Sequence, residues 1–234
     1  MTHPPPVANS GVPPRRVFLV DDHPLVREWL SALINQQPDL EICGEADGAP
    51  GALAAIGELR PDAAVVDLTL RKGSGIELIK DLRRLRPELA IVVLSMHDEP
   101  FYAERSLRAG ARGYVVKREA TKKVLAALRA ALTGAIYVNE EFAAALLARN
   151  LGRSGASAGA ERSSVEVLSD RELEVFRLLG QGQTTASIAD TLSISLKTVQ
   201  AYCARVKEKL GLANANELLR AAVRWLEGNA PPGR

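Results

Sequence analysis

Val17-Phe-Leu-Val-Asp-Asp-His-Pro24 ends an apolar run in two adjacent acids, Asp21 and Asp22, and the arrangement returns along the chain. Ala63-Ala-Val-Val66 runs into Asp67, Ile91-Val-Val-Leu94 into Ser95, and Gly113-Tyr-Val-Val116 into Lys117. Stretches with helical periodicity lie between these runs. Pro24 opens one through Leu25, Val26, Trp29, Leu30, Leu33 and Ile34, which Pro38 closes, and others cover about 50–59, 75–85, 100–109 and 121–132. Leu40-Glu-Ile-Cys-Gly-Glu45 alternates like a strand buried on one face. Short apolar runs separated by amphipathic helices read as buried strands of a parallel sheet. Five strand-helix units with right-handed crossovers predict an α/β fold, a doubly wound five-stranded parallel sheet of flavodoxin-like order 2-1-3-4-5. All strands of such a sheet finish on one edge, so Asp21, Asp22, Asp67, Ser95 and Lys117 are expected in one crevice.

That set suits a divalent cation and a phosphoryl group. Magnesium takes oxygen ligands, which Asp21, Asp22 and Asp67 supply, with a backbone carbonyl near Thr69 as a further ligand. Ser95 can hydrogen-bond a phosphoryl oxygen and Lys117 can pair with another as a point charge. A carboxylate such as Asp67 can itself accept a phosphoryl group. Each residue alone has a plainer reading: an acid at a strand end as a cap, a lysine as a surface charge. Their succession at consecutive strand ends is what is specific.

Composition narrows the field. The 234 residues suffice for one large or two small domains, and 47% are apolar. No apolar run approaches a bilayer span, so no membrane segment is expected; the expected location, on the reading of the whole chain, is cytoplasmic. Residues 1–15 are proline-rich and read as a disordered leader. Cys43 and Cys203 are far apart in apolar patterns and read as buried free thiols. His3, His23 and His97 show no ligand spacing, and zinc is not expected. Residues 17–133 carry 16 basic and 17 acidic side chains, a net of −1, whereas 195–210 carry four basic and one acidic, a net of +3. A basic cluster on one predicted helix is a nucleic-acid footprint.

The first part of the chain resembles the receiver domain of two-component response regulators. Val17-Phe-Leu-Val-Asp-Asp-His-Pro24, Val65-Val-Asp-Leu68 with Gly73 and Gly75, Val93-Leu-Ser-Met96 and Gly110-Ala-Arg-Gly-Tyr-Val-Val-Lys117 carry the resemblance, over about Arg16 to Leu132. It implies that Asp67 is the phosphoacceptor, that Asp21 and Asp22 surround magnesium, and that Ser95 and Lys117 bind the phosphoryl group. It also implies a histidine kinase as donor and Tyr114 as a switch aromatic; packing at a sheet edge is the plainer role for Tyr114. The family's usual Met-Pro after the acceptor is replaced by Leu70-Arg71, and Arg71 and Lys72 add positive charge beside the pocket.

After a helical stretch at about 140–149, Asn150-Leu-Gly-Arg-Ser-Gly-Ala-Ser-Ala-Gly-Ala160 is small and aperiodic and reads as a flexible linker. Only helices follow, at about 170–179, 184–192, 195–210 and 216–226, with Gly180, Gly182 and Gly211 where helices should stop. This is an all-α unit. The expected boundaries are 16–133 for the sheet domain, 134–164 for helix and linker, 165–228 for the four-helix domain and 229–234 for a disordered tail. On a helical wheel Leu196, Val199, Cys203, Val206 and Leu210 face the bundle, while Lys197, Thr198, Ala201, Ala204, Arg205 and Glu208 lie opposite with Gln200 at the flank. Small residues between Lys, Gln and Arg let a helix approach a major groove, although a solvated face is the alternative.

Thr184–Leu192, a short turn Ser193-Ile-Ser195 and the basic helix have helix-turn-helix dimensions. Leu168-Ser-Asp-Arg-Glu-Leu-Glu-Val-Phe-Arg-Leu-Leu179, Ile188-Ala189, Ile194-Ser195, Lys197-Thr-Val199 and Lys209-Leu-Gly-Leu212 resemble the LuxR-type DNA-binding domain, and the whole resembles a NarL/FixJ-type response regulator. The resemblance places Gln200, Ala201 and Ala204 at bases, Arg205 at bases or phosphates, and Lys197, Thr198, Lys207 and Lys209 at the DNA backbone. Tyr202 stands where the family often has histidine. The last helix has an apolar stripe that reads as bundle core and that the family uses for pairing. The expectation is a phosphorylation-switched transcription regulator, not an enzyme. Its implied partners are a histidine kinase, promoter DNA, RNA polymerase and a second copy when phosphorylated. An aspartyl-phosphate hydrolase, which wants an acid where Thr69 stands, and a receiver that no longer takes phosphate are the rivals.

Overall fold

A computed structural model of the chain describes residues 13–70, 74–96, 100–151, 165, 167–192 and 194–229. The stretches read above as most of the leader, Arg71 to Gly73, His97, most of the linker, Ser193 and most of the tail lie outside the described residues. Two compact units form: residues up to Met96 with Ser106–Val138, and residues 97–105 with those from Asn139 onward.

In the first unit β1 (Arg15–Val20), β2 (Leu40–Ala46), β3 (Ala63–Asp67), β4 (Ala90–Ser95) and β5 (Gly113–Val116) form one parallel sheet ordered β2-β1-β3-β4-β5. Arg15, assigned above to the leader, is the first residue of β1. Helices α1 (Pro24–Asn35), α2 (Ala49–Leu59), α3 (Gly75–Leu85), α4 (Pro100–Ala109) and α5 (Ala120–Leu132) supply the crossovers. Strand residues alternate faces. Val17, Leu19, Val65, Val92 and Val115 join Leu30 and Ile34 of α1 and Val124 and Leu128 of α5 in one apolar cluster. The alternate positions Phe18, Val66, Val93 and Tyr114 are equally buried on the other face. Burying both faces explains why β3, β4 and β5 read as unbroken apolar runs.

β2 is an edge strand, and its register on β1 slips by one residue between Val17 and Phe18. The bulge skips Cys43, whose thiol is half-buried and donates to Val17 O at 3.4 Å. The expectation of two buried thiols is corrected accordingly: Cys203 is half-buried as well, and burial still pushes both thiols up. At the other edge Tyr137 pairs with β5, donating to Arg112 O at 2.8 Å and accepting from Tyr114 N at 2.9 Å. That bridge satisfies backbone groups an open edge would leave to water.

The second unit contains α6 (Glu140–Leu151), α7 (Asp170–Gly180), α8 (Thr185–Leu192), α9 (Leu196–Leu210) and α10 (Ala215–Asn229). Ser169 and Glu172 form a reciprocal capping box at α7, and Ser195 Oγ accepts the Thr198 N–H at 3.1 Å to start α9. Gly182 (φ 81°) and Gly211 (φ 66°) adopt the left-handed conformation expected of helix stops. Gly180 does end its helix, but without the left-handed backbone of the other two. It is the last residue of α7, and a Cβ there would lie 2.6 Å from Ala222 O of α10, so glycine is required by close packing. Val199 and Val206 are fully buried, while Leu196, in the first turn of α9, is 44% exposed.

Candidate functional site

Strand ends bring the acids together. Asp67 is the last residue of β3, Ser95 the last of β4, and Asp21 and Lys117 follow β1 and β5 directly. Lys117 Nζ lies 2.7 Å from Asp67 Oδ2 and 2.8 Å from Asp21 Oδ2. Asp67 Oδ1 accepts the Thr69 N–H at 3.1 Å. All three ionic side chains are nine-tenths buried or more, and Ser95 is fully buried at the same edge. Tyr114 is buried within β5, paired in register with Val93, two residues short of the strand end.

One ligand atom from each of Asp21, Asp22, His23 and Asp67 falls within 4.8 Å of all the others. Three carboxylates against one ammonium leave a buried net charge of −2, which a divalent cation would balance, and the donors are the hard oxygens magnesium prefers. Burial pushes the Asp67 carboxyl up to about 6, with Asp21 adding to it while Lys117 and the Thr69 N–H oppose it. Asp67 is therefore largely a carboxylate at neutral pH, the form that can act as a nucleophile. Burial works against the Lys117 charge, but Asp67 and Asp21 outweigh it and hold its pKa above the ordinary lysine value.

Two contributors were missed in the sequence. His23, read above as without ligand spacing, sets Nδ1 2.9 Å from Asp22 Oδ1 and 3.1 Å from Asp21 Oδ1, and its N–H donates to Asp21 Oδ1 at 2.8 Å. Arg27, one turn into α1, donates from Nη1 to Asp21 O at 2.6 Å and from Nε to Glu45 Oε2 at 3.2 Å, while Ser31 Oγ donates to Glu45 Oε1 at 2.5 Å. The only signal for either was proximity to the acids in sequence. Gly75 also proves structural to the site: a Cβ there would lie 2.3 Å from Asp67 O.

On α9, Lys197, Gln200, Ala201, Ala204, Arg205 and Lys209 are exposed, and Thr198 and Lys207 are half-buried. Arg205 packs its guanidinium over the Tyr202 ring, 5.8 Å from the centroid. Thr198 Oγ1 is 2.7 Å from Ser195 Oγ, within the helix cap. Lys209 Nζ is 2.7 Å from the buried Glu172 carboxylate and 3.3 Å from Val167 O. Thr198 and Lys209 thus each have a partner within their own domain, although Lys209 stays exposed.

Comparison with known proteins agrees with this arrangement. Residues 17–129 match the response regulator receiver domain, and residues 166–222 match the bacterial regulatory proteins of the luxR family. The chain is 34% identical to the DNA-binding transcriptional activator DevR/DosR of Mycobacterium tuberculosis, covering 93% of this chain and 98% of that one. It is 35% identical to the methanol utilization control regulatory protein MoxX of Paracoccus denitrificans, covering 92% and 94% respectively. Among solved structures it resembles RcsB of Salmonella enterica serovar Typhimurium bound to a promoter with the phosphomimetic BeF3−, with a TM-score of 0.57, 27% identity and coverage of 90% and 99%. With acids, lysine and serine gathered at one sheet edge and a helix-turn-helix behind them, the chain belongs to the two-component response regulators of the NarL/FixJ type, a receiver domain followed by a LuxR-type DNA-binding domain.

Proposed function

We propose that Asp67 is the phosphoacceptor and that its modification controls promoter binding through α9. The observation that carries this reading is the buried contact of Lys117 with both Asp67 and Asp21 at an edge of net charge −2. An Asp67 carboxylate oxygen attacks phosphorus, the bond from phosphorus to the histidine nitrogen of a donor kinase breaks, and the electron pair leaves with that nitrogen. Asp21, Asp22 and Asp67, with the carbonyl near Thr69, would hold magnesium. When bound, it neutralises the charge that develops on the transferring group. Lys117 then moves its pairing from the carboxylate to a phosphoryl oxygen, and Ser95 hydrogen-bonds another.

The recruitment of Ser95 shifts the equilibrium of the buried Tyr114, and a two-state face of the receiver responds. The protein turns over no outside substrate. The receiver is assigned to 16–133 and the DNA-binding domain to 165–228. Gln200, Ala201 and Ala204 face bases, while Lys197, Lys207 and Arg205 hold phosphates. Thr198 and Lys209 are reassigned to shaping α9. A second copy when phosphorylated, promoter DNA, a histidine kinase and RNA polymerase are the partners, in the cytoplasm; among the described residues no helix is long and apolar enough to cross a membrane.

The test compares wild type with Asp67→Ala after incubation with acetyl phosphate and magnesium, reading the intact mass and affinity for selected duplex DNA. A phosphoryl adduct and tighter DNA binding in wild type alone are expected. Equal uptake and equal affinity in both proteins would overturn the proposal.

A further inference from the structure

We infer that α9 reads neighbouring A·T base pairs, with Ala201 and Ala204 packed on thymine methyl groups and Gln200 paired with an adenine edge. The inference rests on the reading of α9 as the DNA-facing helix and deepens it by naming the sequence chemistry recognised. It comes from subtraction. Thr198 is occupied at the cap with Ser195, and Lys209 is tied to Glu172 and Val167 O. Arg205, the side chain best suited to guanine, is stacked on Tyr202 one turn back. With its guanidinium packed over that ring, Arg205 is assigned to phosphates rather than to a base edge. Lys197 sits in the first turn, beside the helix N-terminus and the backbone-binding cap.

What remains exposed is Ala201 and Ala204 on the face, with Gln200 at its flank and Glu208, an acid that phosphates repel, one turn further on. The two alanines offer no donor or acceptor, and the one apolar feature of the major groove is the thymine C5-methyl group. Their separation along the helix is about 4.5 Å, close to one base step of about 3.4 Å, so the two methyl side chains meet successive base pairs. Gln200 offers a carbonyl acceptor and an amino donor side by side, the pattern complementary to adenine N6 and N7. With no long side chain at 201 or 204, the helix can seat deeply enough for that amide to reach.

The experiment selects half-sites from a random duplex pool using the full chain with magnesium and beryllofluoride. It then titrates variants of the selected duplex. Uracil replaces single thymines, which removes only the methyl group, and 7-deazaadenine replaces single adenines, which removes only N7. Neighbouring A·T pairs are expected in each half-site, with about a fourfold loss of affinity for each of two thymines. About a tenfold loss is expected for one deazaadenine, and this loss should disappear in Gln200→Ala. A G·C core beneath α9, or uracil and deazaadenine duplexes bound as tightly as the parent, would overturn the inference while leaving DNA binding intact. No enrichment with or without the mimic would sink the reading of α9 itself, and this inference with it.

Discussion

At the scale of single residues, the receiver site is a charge problem. Asp67 is ionised at neutral pH only against the cost of burial, which raises its pKa to about 6. Because the folded value is above the ordinary aspartate value of about 3.9, folding favours the proton. Stability from this group is therefore present below about pH 4 and lost as pH rises through about 6, a change of about 3 kcal/mol. In EDTA at pH 7 the Asp67→Asn protein should melt at a higher temperature than wild type and show a flatter stability profile between pH 4 and 6. An unchanged melting temperature at pH 7 would contradict the account. Arg27 bears on the same site through the backbone: its fork holds the Asp21 carbonyl and Glu45 together. Arg27→Ala is expected to weaken magnesium binding about tenfold, followed by the fluorescence of Trp29 on α1, with Arg27→Lys recovering part of it. Asp67 and Lys117 were legible because each ends an apolar run. His23 and Arg27 were not, because their roles depend on how the chain folds back after β1.

At the scale of elements, helix limits read from caps and periodicity came within a few residues of the structure. Gly180 does end α7, and its missing side chain also makes room for the Ala222 carbonyl of α10, which the sequence did not show. Gly180→Ala should destabilise the DNA-binding domain by about 1–3 kcal/mol, the usual cost of overpacking. Urea unfolding of the variant would measure this, and acetyl-phosphate labelling of Asp67 should be unaffected. A wheel places Leu196 on the buried face, yet in the first turn of α9 it is 44% exposed. The Tyr137 bridge to β5 had no sequence signal, since a single backbone pairing needs no particular side chain.

At the scale of the molecule, the proposed output is a phosphorylation-dependent dimer on two half-sites. Lys197, Lys207 and Arg205 from two copies give about six phosphate contacts, so log K should fall with log salt at a slope of about −5. Lys197→Ala should reduce that slope by about 2, one contact per half-site, with little change in sequence preference. Anisotropy titrations over a range of salt would test both, and a slope unaltered by the substitution would remove Lys197 from the backbone contacts. Sedimentation with and without beryllofluoride should show the dimer only with the mimic.

Sequence alone determined the strand-helix alternation, the 2-1-3-4-5 order, the edge on which the polar groups converge and the helix-turn-helix behind them. The alternation and the shared edge follow from local periodicity, chirality and the rule that parallel strands end together, while the strand order and the DNA-binding domain were supported by the family resemblance of the motifs. Tertiary structure alone decided that Lys117 bridges Asp67 and Asp21, that Arg27 holds the Asp21 carbonyl, and that Lys209 pairs with Glu172 and Thr198 with Ser195 while Gln200, Ala201 and Ala204 are exposed. Periodicity says which way a side chain points, but whether a partner stands there depends on packing between segments distant in the chain.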